Sequence, residues 1–264
     1  MTRRDKRRKL ARGNVFSAND TKKILSPNSS FTVKEAYNAI RTNLLFLQQG
    51  EKCPVFVITS PTANNGKTIN SINLAVSFAQ MGKKTLLIDS DMRNPTIHRM
   101  FSIPVKNGLS EILAGLTDNI SVSKTDIENL SVLTAGKIPP NPTELLSSQR
   151  MDKLLDFVRE HYDCVFIDTP PTNIVTDCTV FAQKITGYIL IVKTDTTNTN
   201  DVRMAINTLE SIDGNILGFV LNDVTSEKKK YYSYYRRYNY DYNYNYNYNY
   251  NGYKYGKYGK KYGK

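Results

Sequence analysis

Two rhythms of apolar residues run through the middle of the chain, and both fade toward its ends. VFVITS (Val55–Ser60), KTLLIDSD (Lys84–Asp91), LSVLTAG (Leu130–Gly136), CVFIDTPP (Cys164–Pro171), GYILIVKTD (Gly187–Asp195) and ILGFVLNDV (Ile216–Val224) are short apolar runs with little polar alternation. Such runs predict strands buried on both faces. Between them the spacing changes to three and four. TVKEAYNAIRTNLLFL places Val33, Ala36, Tyr37, Ile40, Leu44 and Leu47 on one helical face. KTINSINLAVSFAQMG predicts a helix closed by Gly82, and NGLSEILAGL a short one. NPTELLSSQRMDKLLDFVREHY predicts a single long amphipathic helix opened by Asn141-Pro142. DCTVFAQKI and NTNDVRMAINTLESI complete the set of helices. Strands alternating with helices predict an α/β fold, a doubly wound, mostly parallel sheet. The body spans residues 31–226. Residues 1–30 read as a disordered basic tail, and residues 227–264 as a flexible tail holding 15 of the 18 tyrosines.

Charge sharpens this division. The 264 residues carry a net charge of +12, but residues 1–23 hold +7 and residues 227–264 hold +8, leaving the stretch between them at −3. Basic tails attract phosphate groups on nucleic acid, lipid or a partner. Cys53, Cys164 and Cys178 have neither metal-ligand nor disulfide spacing, as expected for a reducing cytosol. No run approaches the roughly 18 apolar residues of a membrane span, and the N-terminus lacks a signal-peptide core. His98 and His161 have no partner at ligand spacing and read as structural.

The loop SPTANNGKT, Ser60–Thr68, follows the first strand and opens a helix, the setting of a phosphate-binding P-loop. Backbone N–H groups over Ser60, Ala63, Asn64, Asn65 and Gly66, with the helix N-terminus, would surround phosphates. Lys67 reaches the β- and γ-phosphates, and the Thr68 hydroxyl is a magnesium ligand. Pro61 stands where the usual pattern has its first glycine, and Asn64 and Asn65 tolerate left-handed backbone better than most residues. Asp89 and Asp91 leave one predicted strand, and Asp168 ends another. In an open parallel sheet ligands lie outside the carboxyl ends of the strands, so all three carboxylates point to the phosphate crevice. There one can hold magnesium and another can take a proton from an incoming hydroxyl. Arg93 ends the second motif beside carboxylates or phosphates, and Asn222, after the last strand, is a candidate adenine contact.

TSPTANNGKT, LLIDSDMRNP and VFIDTPP stand in that order, joined by LTAGKIPPNPTELLSS and the terminal tyrosines. With them the chain resembles the bacterial tyrosine kinases of capsule and exopolysaccharide synthesis, in the form whose cytoplasmic kinase is a separate chain. The resemblance covers nearly all of residues 32–264. It implies an ATP- and Mg2+-dependent autokinase with Lys67 and Thr68 on phosphate and metal, and Asp89 or Asp91 as base, with Asp89 preferred. Asp91 and Asp168 complete the magnesium shell. It further implies a membrane-embedded activator or chain-length regulator that recruits the kinase to the inner face of the plasma membrane. A homo-oligomeric ring, a tyrosine-phosphatase counterpart and no nucleic-acid partner belong to the same expectation. The family's Glu-x-x-Arg-x-x-Arg ring motif reads Glu35, Asn38 and Arg41 here, without its first arginine.

The tail then reads as substrate. Tyr240, Tyr242, Tyr244, Tyr246, Tyr248, Tyr250, Tyr253, Tyr255, Tyr258 and Tyr262 are the expected phosphoacceptors. A flexible segment of this length spans roughly 35 Å, enough for transfer in trans within an oligomer. Two other readings stand beside this one. One is a partitioning or positioning ATPase, which usually carries a further lysine where Thr62 stands. The other is a non-catalytic scaffold whose tyrosine- and asparagine-rich tail binds protein or nucleic acid.

Overall fold

The computed structural model describes residues 21–48 and 50–224. The expected tyrosine tail and the first 20 residues lie outside that range. Seven strands form one sheet in the order β3-β4-β2-β5-β1-β6-β7. They are β1 (Val55–Thr59), β2 (Thr85–Asp89), β3 (Ser123–Lys124), β4 (Leu130–Leu133), β5 (Cys164–Asp168), β6 (Gly187–Lys193) and β7 (Ile216–Asn222). All pairings are parallel except that of the two-residue β3 with β4. β1, β2 and β5 are buried along their whole length, as their unbroken apolar runs predict.

The period of two sorts these strands onto two cores. Val55, Val57, Leu86, Ile88, Val165 and Ile167 face one side, packed with Leu154, Leu155 and Val158 of helix α6 (Gln149–His161). Phe56, Ile58, Leu87 and Phe166 face the other, against Ile72, Ala75 and Phe78 of helix α2 (Lys67–Gln80). Phe56, Phe78 and Phe166 form a tilted aromatic trio with centroids 5.2–6.2 Å apart. Helix α2 ends in a Schellman turn: Gly82 has φ 87°, and the N–H groups of Gly82 and Lys83 return to the carbonyls of Ala79 and Phe78. Helix α1 (Phe31–Leu47) is capped by the Ser30 side chain and lies over α2, and α7 (Thr199–Glu210) precedes the last strand.

Four local expectations change. The long helix is two, α5 (Pro142–Leu146) and α6, because Ser148 is extended (φ −72°, ψ 156°) and restarts the second one. Residues 179–184 form a 3₁₀ helix, and a short α3 (Ile97–Met100) follows β2 ahead of α4 (Leu109–Leu113), the short helix that the sequence predicts. β7 is not buried on both faces: it is the sheet edge, with Phe219 48% and Leu221 43% exposed. Beside it an apolar groove of about 420 Å³ opens toward Ile40, Phe46 and Leu47 of α1, with no charged side chain in its wall. Finally, the folded body begins before residue 31. Leu25 is 3% exposed and packs into the α2-side core with Leu44.

Candidate active site

The chain leaves β1 toward β2 on one side and leaves β5 toward β6 on the other, so the topological switch lies between β5 and β1. The loop after β1 and the carboxylates ending β2 and β5 meet there. Asp89 and Asp168 are direct register partners across the β2–β5 pair. A cavity of about 390 Å³ is walled by Ala63, Asn64, Gly66, Lys67, Thr68 and Asp91 among others; Asp89 and Asp168, both wholly buried, are not on its wall.

The loop has the backbone that phosphate binding needs. Asn64 (φ 64°) and Gly66 (φ 85°) are both left-handed, which turns successive N–H groups inward. At this φ an L side chain is strained, and a Cβ on Gly66 would lie 2.2 Å from the Asn222 side-chain nitrogen and displace it, so the position favours glycine. Asn222 Nδ2 donates to the Asn65 carbonyl (2.9 Å). It holds the loop from behind and is not among the cavity-wall residues. Asn65 is also turned inward, accepting from Thr197 Oγ1 at 3.2 Å. The Ser60 hydroxyl donates to the Thr62 carbonyl (2.7 Å) and closes the loop's first turn.

The charged groups form one buried cluster. Lys67 Nζ donates to Asp91 Oδ2 at 2.7 Å and lies 3.8 Å from Asp168 Oδ2. Burial pulls the Lys67 ammonium down, but the Asp168 and Asp91 carboxylates outweigh it and leave its pKa raised. Asp168 accepts from Thr68 Oγ1 (2.7 Å) and Ser71 Oγ (2.8 Å). Its burial raises its own pKa even against Lys67. Asp89 is wholly buried. Its Oδ2 accepts the N–H groups of Thr96 (3.1 Å) and Ile97 (3.0 Å) at the start of α3. Its Oδ1 has no hydrogen-bond partner among the described residues. Burial, followed by the repulsion of Asp168, pushes the Asp89 carboxyl up to about 7.

These residues suit a magnesium nucleotide. Thr68, Asp91 and Asp168 are a hard oxygen set, of the kind magnesium shares with water and phosphate, and Asp89 Oδ1 is an orphaned acceptor in the same cluster. Arg93 is on the cavity wall, but its guanidinium is engaged: Nε and Nη2 donate to the buried Asp177 at 2.7 and 3.0 Å. Sequence reasoning missed Asp177, which follows the Pro-Pro loop without any motif of its own. It also missed Ser71, although that residue stands one helical turn after Lys67, where it can reach the same carboxylate. Pro170, Pro171, Arg99 and Lys23 also line the cavity without having been singled out. His161 stacks on Phe157 at 4.1 Å, outside the site. Among the described residues no helix is long and apolar enough to cross a membrane.

Comparison with known proteins agrees with this geometry. The AAA domain family matches residues 57–217. A putative tyrosine-protein kinase CapB of Staphylococcus aureus is 40% identical over 205 residues, 77% of this chain and 90% of that protein. The tyrosine-protein kinase CpsD of Streptococcus pneumoniae serotype 4 is 40% identical, over 75% of this chain and 87% of that one. The crystal structure of the chimerical protein CapA2B2 superposes with a TM-score of 0.71 at 38% identity, covering 76% of this chain and 88% of that one. With the phosphate loop, the carboxylate pair at its edge and this match over most of each relative's length, the chain belongs to the bacterial tyrosine-kinase family.

Proposed function

We propose that this chain is an ATP-dependent protein-tyrosine autokinase that phosphorylates the tyrosine cluster in its own tail, beyond residue 226, and so regulates capsule or exopolysaccharide synthesis and export. The observation that carries it is the meeting of Lys67, Thr68 and Asp91 on the wall of one cavity, with the buried Asp168 held against Thr68 and Lys67 behind them, in a chain with 15 tyrosines beyond residue 230. In this reading bound Mg2+·ATP supplies the phosphoryl group, and the protein orients it and manages charge and proton. Backbone N–H groups of Ala63–Gly66 face the phosphates. Lys67 exchanges its 2.7 Å contact with Asp91 for phosphate oxygen. That exchange leaves Asp91, with Thr68 and Asp168, to hold the metal. Asp89 takes the phenol proton at Oδ1; its raised pKa and its orphaned oxygen support the assignment. Asp91 is the alternative base, favoured by its place on the cavity wall.

By the same reading a membrane-embedded activator brings the kinase to the inner face of the plasma membrane, a ring of copies presents each tail to a neighbour, and a tyrosine phosphatase resets the tail. Incubation with Mg2+·ATP followed by mass spectrometry tests it. Phosphate should accumulate on tyrosines from Tyr240 to Tyr262 and vanish in Lys67→Met. Hydrolysis of ATP without phosphotyrosine would instead indicate a positioning-type ATPase.

A further inference from the structure

We infer that Lys23 is a second phosphate-binding cation of the nucleotide site, delivered by a segment that a buried hydrogen-bond relay ties to the P-loop. The inference rests on the nucleotide reading above. Its ligand class is a nucleoside di- or triphosphate, and it concerns a lysine that sequence alone assigns to a solvated basic tail.

Two independent observations support it. The first is location. Lys23 is on the wall of the same cavity as Gly66, Lys67, Thr68 and Ile69. The second is the way its backbone is fixed. The Asn73 side chain grips the segment at two points: its Oδ1 accepts the Leu25 N–H (2.7 Å), and its Nδ2 donates to the Lys23 carbonyl (3.1 Å). The same Nδ2 donates to the Tyr37 hydroxyl (3.1 Å), which donates to Asn70 Oδ1 (3.0 Å). Asn70 Nδ2 closes the chain on the carbonyl of Gly66, the phosphate-loop glycine, at 2.9 Å. Leu25, next to the grip, is buried. A polar chain satisfied at every link holds a single geometry, and breaking any link strands buried donors or acceptors. Lys23 is thereby placed at the rim of the loop by its backbone, on the wall of the cavity.

Charge explains why a second cation is useful. Lys67 is shared by Asp91 and Asp168 within a cluster of three carboxylates. Arg93 is committed to Asp177, and the Arg99 guanidinium donates to the Pro95 carbonyl. An incoming phosphate chain adds further negative charge to a site whose acids already outnumber its one loop lysine. An ammonium entering from the N-terminal side offsets it.

The test is equilibrium binding of Mg2+·ATP and Mg2+·ADP to the full chain, read by calorimetry, with melting temperature as the folding control. Lys23→Ala should weaken both nucleotides by about ten-fold, the size expected for one charge-assisted contact, while the protein melts as wild type. Lys23→Arg should bind within about two-fold of wild type. Lys22→Ala, its exposed neighbour, should bind unchanged. Tyr37→Phe keeps Lys23 but cuts the relay, and should weaken binding and lower the melting temperature together. Lys23→Ala binding like wild type would overturn the inference, and so would an equal loss in Lys22→Ala, since that would mean only the diffuse charge of the tail matters. A folded wild type that binds no nucleotide would overturn the nucleotide reading itself, which separates the two failures.

Discussion

At the scale of single residues, Asp89 is where stability and chemistry diverge. Its folded-state pKa of about 7 lies above the ordinary 3.8, so burial favours the neutral acid. A group raised in this way leaves stability intact below pH 4, and that stability is lost as pH rises toward 7. At pH 8 the ionised carboxylate therefore costs the nucleotide-free protein up to about 4 kcal/mol. Asp89→Asn keeps an oxygen for the Thr96 and Ile97 N–H groups but cannot ionise. Its melting temperature should exceed the wild-type value at pH 8 and match it at or below pH 4, as read by thermal denaturation across pH. To serve as the proposed base, the same carboxylate must be ionised. Thus kcat/KM for tyrosine phosphorylation should rise through about pH 7, and Asp89→Asn should lose that limb with most of the rate, about 10²–10⁴-fold. If Asp91→Asn loses the limb and Asp89→Asn keeps it, the base is Asp91. The residue pattern made both aspartates legible as site acids. It could not rank them, because the ranking comes from which one lies under α3 with its carboxylate out of solvent.

Elements were legible where one physical signal dominated. The unbroken apolar runs of β1, β2 and β5 and the Gly82 stop of α2 are local signals, and the fold keeps all of them. The break between α5 and α6 was not legible, because Ser147-Ser148 is compatible with helix until tertiary packing directs the second segment elsewhere. β7 has the same apolar composition as the central strands, and only its place at the sheet edge exposes Phe219 and Leu221. Least legible was the clamp joining three segments distant in sequence. Arg93 from the loop after β2 and Thr143 from α5 both donate to Asp177, which is fully buried. Arg93→Ala would leave that acid with the Thr143 hydroxyl as its remaining side-chain donor among the described residues. A buried pair broken from one side costs about 3–5 kcal/mol. The Arg93 side chain is 43% exposed, and solvent screening brings the expected loss to about 1–3 kcal/mol. Urea denaturation should show that loss, and Arg93→Lys should recover only part of it, because the two-pronged geometry needs a guanidinium.

At the scale of the whole molecule the question is whether a copy modifies itself or its neighbour. The body between the tails has a net charge of −3 and the tail from residue 227 carries +8, so on the proposed function attraction should favour the encounter of a tail with a body before any phosphate is transferred. Each phosphotyrosine adds about −1.5 to −2, so four to five of them cancel the tail's charge and further ones reverse it. Transfer should therefore limit itself, and an assembly held partly by this attraction should loosen as it proceeds. The sequence-level ring motif lacks its first arginine, with Asn38 instead donating to Glu35 (3.0 Å). The remaining Arg41 donates to the Ser77 carbonyl of α2 (2.6 Å) and so ties α1 to its own subunit. With that motif engaged internally, the proposed ring would depend more on the tail's charge. Two full-length chains test this. One is catalytically intact but has all 15 tail tyrosines replaced by phenylalanine; the other carries Lys67→Met with its tail intact. Mixed with Mg2+·ATP, the second should acquire phosphotyrosine although it cannot catalyse, and alone it should acquire none. Light scattering during the reaction of wild type should show the mean mass falling once about four phosphates per chain have accumulated, and raised salt should mimic the fall without ATP. A Lys67→Met tail that stays unmodified beside the intact site would show transfer to be intramolecular. A particle of constant mass would show that apolar surfaces, and not the tail's charge, hold the copies together.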